Sequence, residues 1–221
     1  MRLLIWDLPT RLFHWLLVLC VVGAFVTVKI GGNALQYHFW FGYAVLTLLL
    51  FRLIWGLVGG HYSRFLHFPL RPTQLRAYLS GHTSLHLGHN PLGSLSVLAL
   101  LAALLFQSVS GLFANDDIAS EGPLTIWISK SLSDTITHLH HENEAILLGL
   151  ISLHLAAILF YAWFKRENLV GPMLHGHKTV ATPLSATPLK TSVDGRGQRI
   201  IALILLLTCA GIVYWITQLK P

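Results

Sequence analysis

Charged residues and cysteine are both scarce in this chain of 221 residues. Only 11% of the residues are charged and 54% are hydrophobic, whereas about a quarter of the residues in an average soluble domain are charged. The chain therefore lacks the polar surface that a water-exposed globule of its size needs. Two cysteines exclude a disulfide scaffold, and the abundant apolar and aromatic residues exclude a disordered chain. A helical bundle in lipid remains.

Five apolar runs are long enough to cross a hydrocarbon layer ~30 Å thick, which takes roughly 20 residues. They cover about residues 12–30, 37–58, 93–114, 141–164 and 199–218. The first run lacks the small-residue cleavage site of a signal peptide, so we expect it to remain as a helix. The alternating pattern of barrel strands is absent from the sequence. We therefore predict an all-α membrane protein with five spanning helices.

The basic residues predict the orientation of these helices. If the N-terminus is cytoplasmic, all 15 Lys and Arg residues except Lys29, Lys130 and Lys220 lie on the cytoplasmic side, where basic residues are normally enriched. The acidic residues that fall outside are Asp116, Asp117, Glu121, Asp134, Glu142 and Glu144. We therefore expect the C-terminus on the outer side. The net charge of +6 follows from this topology and is no sign of nucleic-acid binding, because no concentrated basic motif is present.

Two connections differ in character from the apolar runs. The outer loop, about residues 115–138, contains a stretch from Leu124 to Leu132 that could form an amphipathic helix on the membrane surface. Residues 167–198 are rich in Pro, Ser, Thr and Gly and are predicted to form an irregular cytoplasmic linker. This divides the chain into a four-helix core (1–166), the linker (167–198) and a fifth helix (199–221), which we expect to be an anchor or a partner surface.

Histidine is in excess, with 13 residues against 9 acidic ones, and an imidazole in lipid is costly unless it has a partner. Those inside or at the mouths of the runs are His14, His38, His140 or His141, and His154. His140 and His154 are separated by roughly 21 Å and nearly four whole turns, so they share a helix face, whereas His141 is roughly 140° out of phase with His154. Because successive helices alternate in direction, His38 pairs with His140 on the outer side. His14 pairs with His154 nearer the cytoplasm.

Two facing pairs of imidazoles at two depths are what two bis-histidine b-type haems require. A zinc site normally takes four close ligands, and the remaining alternative is that each imidazole hydrogen-bonds a neighbour or faces a channel. Gly42 and Gly149 could leave room for a porphyrin or could serve close helix packing. Arg52 lies on the face of His38, where it could pair with a haem propionate or extend to the membrane interface. The absence of a Cys-x-x-Cys-His motif excludes covalently attached haem.

Several motifs occur in a fixed order along residues 3–178. They are Trp6-Asp7-Leu8-Pro9-Thr10-Arg11-Leu12-Phe13-His14-Trp15, His38 with Gly42, Arg52-Leu53-Ile54-Trp55-Gly56, Gly88-His89-Asn90-Pro91-Leu92-Gly93, Leu139-His140, Leu153-His154 and Arg166-Glu167-Asn168-Leu169-Val170. In these motifs the chain resembles the bacterial cytochrome b561 and nickel-iron hydrogenase cytochrome b family. The resemblance implies a four-helix dihaem cytochrome b that exchanges electrons between a quinone pool and a redox partner. His14, His38, His140 and His154 match the family's ligand positions.

The chain departs from the family pattern in two places. The family usually has Glu directly after the first histidine of the fourth helix, whereas His141 stands there in this chain. The fifth helix lies beyond the family's four-helix core, so the resemblance implies no function for it.

The function expected from these features is electron transfer across the bacterial inner membrane. The partner would be a c-type cytochrome, which acidic outer loops would suit, or a hydrogenase-type subunit. One alternative is a superoxide:quinone oxidoreductase, which would need a cationic funnel at the outer face, where acids outnumber Lys29 and Lys130. The second alternative is a haem-free membrane anchor.

The remaining histidines and the cysteines have weaker assignments. His89 belongs to one of the motifs and is a second candidate for a propionate or quinone contact. Together with His82 and His86 it could form a surface metal site, because the three lie within two helical turns, but solvated loop histidines are the favoured interpretation. Cys20 and Cys209 are expected to be packing residues.

Overall fold

The computed structural model describes residues 1–81, 87–118, 120–180 and 191–219. Seven α-helices form in this part of the chain, and five of them are long and apolar enough to cross a membrane. The helices are α1 (Leu8–Ile30), α2 (Leu35–Val58), α3 (Pro72–Leu79), α4 (Pro91–Gly111), α5 (Lys130–Trp163), α6 (Val170–His175) and α7 (Arg196–Thr217). The spanning helices are α1, α2, α4, α5 and α7. The prediction of an all-α membrane protein with five such helices is confirmed.

Helix α5 begins at Lys130, well before the apolar run that predicts it. Its 34 residues give it a length of about 51 Å, which is more than a ~30 Å hydrocarbon layer requires. Lys130 forms an ion pair with Asp134 one turn later, and such pairs support polar helical turns. The apolar run therefore marks only part of the helix, because the helix continues through polar residues.

The outer loop does not contain the amphipathic helix that the sequence suggested. Thr125–Trp127 form a single 3₁₀ turn, and Lys130–Leu132 already belong to α5. The loop is instead fixed by Asn115, whose Nδ2 donates to Ser133 Oγ at 2.6 Å and to Asp134 Oδ1 at 3.0 Å.

The chain folds into two compact units that are interleaved along the sequence. The first unit comprises residues 1–13, 52–99 and 152–203, and the second comprises residues 14–51, 100–151 and 204–221. Each spanning helix contributes residues to both units, so neither unit corresponds to one continuous segment of the chain.

A small two-stranded sheet lies in the first unit. Strand β1 (Arg2–Leu4) pairs antiparallel with strand β2 (His177–Thr179), and the N-terminal ammonium donates to Val180 O at 3.0 Å. A cluster of buried side chains, Leu3, Ile5, Trp6 and Val180, packs beside this sheet. The segment predicted to be an irregular linker therefore contains a helix, α6, and a strand that pairs with the N-terminus.

The end of the same segment is also held against the N-terminus. Ser192 donates from its backbone N–H to Leu4 O at 2.8 Å and from Oγ to Ile5 O at 2.6 Å. The carboxylate of Asp194 accepts from the backbone N–H of Leu8 at 3.1 Å and from Arg199 at 2.8 Å. The described parts of residues 167–198 thus fold with the N-terminus, because their polar backbone groups find partners there.

The second unit has an apolar core to which α7 contributes. Leu46, Leu112 and Val213 form its buried cluster, and Cys209 on α7 is fully buried. The expectation that Cys209 is a packing residue agrees with this burial. One face of the fifth spanning helix therefore packs into the protein.

Candidate functional site

A cavity of about 180 Å³, partly open to the surroundings, lies in the second unit. It is lined by residues of α1, α2, α4 and α5 and by part of the outer loop, and most of the lining is apolar. Cofactor and ligand sites commonly combine apolar walls with a few polar groups. Among the polar groups here are three imidazoles, those of His38, His140 and His141.

The rings of His38 and His140 lie close together in this cavity. Their centroids are 6.4 Å apart and their planes are 85° from parallel. A metal ion lies about 2 Å from a coordinating imidazole nitrogen, and that nitrogen lies about 1 Å from the centre of the imidazole ring. Two imidazole rings that bind one metal ion from opposite sides therefore have centres about 6 Å apart. The separation of the two rings therefore fits one iron atom between them. The predicted proximity of His38 and His140 is found.

The hydrogen bond that His38 makes through Nδ1 leaves the lone pair of Nε2 available to bind iron. Its Nδ1 lies 2.9 Å from the carbonyl oxygen of Ala24. Because a carbonyl oxygen can only accept, Nδ1 carries the proton, and Nε2 of the neutral ring carries a lone pair. Ligating histidines commonly use this arrangement, in which a backbone carbonyl fixes the tautomer and the ring orientation.

The surroundings of His140 contain polar residues that the sequence did not single out. Ser110 Oγ lies 3.0 Å from His140 Nδ1, and Gln107 Nε2 lies 3.0 Å from His140 Nε2. Asn143 Nδ2 donates to Gln107 Oε1 at 2.7 Å. Gln107 and Asn143 are polar residues in apolar runs, and that was the only signal in the sequence that could have identified them.

The structure also distinguishes His140 from His141. His140 is half-buried, whereas His141 is exposed, and the centroids of their two rings are 6.0 Å apart. The ring paired with His38 is that of His140. The geometry therefore favours His140 over His141 as the partner of His38, as the helical spacing predicts. In the described residues, no group of three or more His, Cys, Asp or Glu side chains is placed to hold a metal ion.

Gly42 leaves room in the cavity wall. A Cβ atom at Gly42 would meet no other atom within 4 Å, and the residue lines the cavity. A Cβ at Gly149 would also have nothing within 4 Å. Close helix packing does not explain either glycine, and at Gly42 the alternative, space for a flat group beside the helix, agrees with the structure.

Arg52 is a buried cation in the first unit. Only 3% of its surface is exposed, and its guanidinium lies 4.6 Å from the ring centroid of Phe65 and 6.0 Å from that of Phe13. Its Nη1 is buried and has no hydrogen-bond partner in the described part of the chain. A buried cationic donor without a partner is costly, and a carboxylate is the group that best satisfies it. The alternative that Arg52 extends to the membrane interface does not agree with its burial.

Comparison with known proteins identifies the family. A model of the family described as prokaryotic cytochrome b561 matches residues 5–176, which is more than half of the chain. The chain belongs to the prokaryotic cytochrome b561 family. It is therefore a membrane cytochrome of the b type, an electron-transfer protein that carries haem b.

Similar curated proteins carry names that agree with the family of this cytochrome. A protein of Cupriavidus necator named probable Ni/Fe-hydrogenase B-type cytochrome subunit is 24% identical, over 79% of this chain and 86% of its own length. An Azotobacter vinelandii protein of the same name is 26% identical, over 78% and 86%. The probable Ni/Fe-hydrogenase 1 B-type cytochrome subunit of Escherichia coli strain K12 is 29% identical, over 48% and 57%. No solved structure matches the chain.

The other two predicted ligands of this cytochrome fall in different units. His14 is half-buried on α1 and belongs to the second unit, and its ring contacts that of Trp15 edge to face at 5.0 Å. His154 is half-buried on α5 and belongs to the first unit. Their pairing stays a prediction.

His89 lies among aromatic rings in this cytochrome. Its ring centroid is 4.7 Å from that of Trp6 and 5.1 Å from that of Phe68. These contacts give it a packing role, and a propionate or quinone contact stays a prediction. The other members of the suggested surface metal site, His82 and His86, lie outside the described residues.

Asp7, in the first motif, is the centre of a hydrogen-bond network in which each of its carboxylate oxygens accepts two hydrogen bonds. Oδ1 accepts from Thr10 N at 2.8 Å and from Trp55 Nε1 at 3.3 Å. Oδ2 accepts from Gly60 N at 3.1 Å and from Ser63 Oγ at 2.8 Å. The carboxylate is 1% exposed, and four donors compensate for its burial. Part of the motif therefore joins α1 to the segment that follows α2.

Proposed function

We propose that this cytochrome holds two b haems, one between His38 and His140 and one between His14 and His154. The observation that supports the first site is the pair of rings 6.4 Å apart on the wall of one cavity. When bound, haem supplies one-electron redox chemistry at iron. An iron held by two of these histidines would have no open position for a substrate, which would favour electron transfer over oxygen chemistry.

Arg52 and Gly42 would contribute to haem binding without ligating iron. The orphaned Nη1 of Arg52 suits a propionate, because a buried guanidinium forms strong charge-assisted bonds with carboxylates. Gly42 leaves room on the wall that carries His38. His89 is a further candidate for a propionate or quinone contact.

The redox partners we propose are quinone in the membrane and a hydrogenase-type subunit. The names of the similar proteins support the hydrogenase-type partner. A c-type cytochrome on the outer side is the alternative partner, which the acids of the outer loops would suit. We place the N-terminus in the cytoplasm and the C-terminus outside, in the bacterial inner membrane, because the basic residues favour that orientation.

The two alternative functions each lack a supporting observation. A superoxide:quinone oxidoreductase would need free cations at the outer face, but Lys29 pairs with Glu144 at 2.6 Å and Lys130 pairs with Asp117 and Asp134. A haem-free anchor would not need two imidazoles on one cavity.

Electron transfer with quinone is tested in liposomes that contain the purified cytochrome. A soluble quinol such as decylubiquinol should reduce the haem, which is seen as growth of the ferrous α-band. An oxidant added afterwards should reoxidise the haem. Superoxide in place of quinol is the control for the alternative function. Reduction by dithionite but not by any quinol would contradict the quinone link, and reduction by superoxide alone would favour the alternative.

A further inference from the structure

The imidazole of His140 has a hydrogen-bond partner on each of its nitrogens. Ser110 Oγ is 3.0 Å from Nδ1 and Gln107 Nε2 is 3.0 Å from Nε2. Both partners come from α4, one turn apart, and both contact a ring carried by α5. The two contacts differ in chemistry, because one involves a hydroxyl and the other an amide N–H.

The direction of the Ser110 hydrogen bond follows from the second contact of its hydroxyl. Ser110 Oγ donates its only proton to the carbonyl oxygen of Gln107 at 3.1 Å. It must therefore accept from His140, so Nδ1 carries the ring proton and Nε2 carries the lone pair. This is the tautomer that an iron ligand needs at Nε2, and a hydrogen bond from Nδ1–H makes the ring a stronger ligand.

The orientation of Gln107 is fixed by Asn143. Asn143 is 6% exposed, and its Nδ2 donates to Gln107 Oε1 at 2.7 Å and to Ala103 O at 3.0 Å. Because Oε1 of Gln107 accepts from Asn143, the NH₂ group of Gln107 faces His140. The amide therefore donates to the Nε2 lone pair, which is the same lone pair that would bind iron.

We propose that Gln107 competes with haem iron for Nε2 of His140, and that Ser110 is the positioning residue that makes this nitrogen a ligand. The inference rests on the proposed function of His140. Iron held by Nε2 would take the lone pair that accepts from Gln107, so the Gln107 N–H···Nε2 hydrogen bond would be lost. No proton leaves the ring, because Nε2 is already unprotonated. The two neighbours of one imidazole thus have opposite effects on haem binding.

Variants at three neighbouring positions of α4 test this proposal. Gln107→Leu removes the competing donor, and Ser110→Ala removes the acceptor of Nδ1–H. Ser108→Ala is the matched control, because Ser108 also lines the cavity but its hydroxyl donates to Leu104 O at 2.9 Å. Gln107→Met is a second variant in case Gln107→Leu is not recovered from the membrane.

Two readouts separate haem binding from folding. The first is the equilibrium partition of haem between the full-length cytochrome and apomyoglobin, and the second is a potentiometric titration of the haem that each variant retains. We expect Gln107→Leu to bind one haem about 2- to 10-fold more tightly, which corresponds to the net contribution of one hydrogen bond. We expect Ser110→Ala to bind it more weakly by a similar factor and to raise its midpoint potential, because a weaker donor ligand stabilises ferric iron less. Ser108→Ala should change neither.

Two results would overturn the proposal. One is haem binding that is weakened or unchanged in both Gln107→Leu and Gln107→Met, and the other is a Ser108→Ala variant that changes as much as Ser110→Ala. Either result in a wild type that carries haem would leave the proposed function standing. Failure of the proposed function is distinguishable, because the wild type itself would then carry no haem.

Discussion

The carboxylate of Asp7 and the imidazole of His38 are both polar groups inside the protein, but their surroundings differ. All four of the donors around Asp7 belong to the protein. His38 uses one nitrogen for a backbone carbonyl, and its side chain lines a cavity. A buried polar group whose bonds are all made holds the fold, whereas one that keeps a bonding position on a cavity is suited to bind a ligand.

The largest expected effect tests the structural side of this comparison. Asp7→Ala leaves four donors around the side chain without their acceptor, and removing one partner of a buried charged network costs about 3–5 kcal/mol. We expect a sharp fall in membrane yield and in the melting midpoint of the detergent-solubilised protein. Glu142→Ala, at an exposed carboxylate of α5, should melt like the wild type. An Asp7→Ala protein that melts normally but has lost its haem would reverse the assignment.

Arg52 sharpens the comparison, because it is buried like Asp7 but has an orphaned donor. If it pairs with a propionate, Arg52→Gln should weaken haem binding by about 10- to 100-fold, since a hydrogen bond to a charged group contributes about 1.5–3 kcal/mol. The melting midpoint of the haem-free protein should change little, because the substitution removes both the desolvation cost of the buried guanidinium and its attraction to the charge of Asp7. Arg52→Lys, which keeps the charge, should retain more haem. Normal haem affinity in Arg52→Gln would contradict the propionate contact.

Two glycines of α2 extend the comparison to shape. A Cβ at Gly56 would lie 2.0 Å from Phe65, whereas one at Gly42 would meet nothing within 4 Å. Gly56→Ala should therefore destabilise the protein by about 1–3 kcal/mol through overpacking, and Gly42→Ala should leave its melting midpoint unchanged. Gly42→Phe should lower the haem content without lowering the stability of the haem-free protein. Equal melting midpoints for the two alanine variants would remove the distinction between a packing glycine and a cavity glycine.

Asp194 gives the smallest expected effect. Burial raises the pKa of this carboxyl, but hydrogen bonds from Arg199 and Leu8 together with the charges of Arg199 and Arg11 outweigh burial, so the pKa lies below its usual range. A pKa that is lower in the folded state adds stability above the unfolded value of about 3.9, and this stability is lost as the pH falls through the folded pKa. We expect Asp194→Asn to lose about 1 kcal/mol or less near neutral pH and to lose stability less steeply on acidification. An unchanged acid melting profile would show that the contact contributes nothing.

The sequence predicts the helices of this protein better than it predicts their ends. Apolar runs identify all five spanning helices, but α5 starts at Lys130, because a helix that leaves the membrane no longer needs apolar residues. The pairing of β1 with β2 joins residues that are far apart in the chain. A local sequence pattern does not predict such a long-range pairing.

The candidate site was predictable to a similar extent. Helical spacing selects His38 and His140, because depth and face follow from the rise and period of a helix. Ser110, Gln107 and Asn143 could not be assigned to His140 from the sequence, because their contacts depend on how α4 and α5 are rotated against each other. The hydrogen-bond network of Asp7 was not predicted either, because Asp7 belongs to the same motif as His14 and only His14 was assigned a role from the sequence.

Haem content per chain tests the central claim most directly. Pyridine haemochromogen spectra of the purified wild type, His38→Ala, His140→Ala and His141→Ala give the count for each protein. We predict two b haems in the wild type and in His141→Ala, and a fall toward one in His38→Ala and in His140→Ala. Full haem content in His140→Ala together with a loss in His141→Ala would contradict the pairing of His38 with His140.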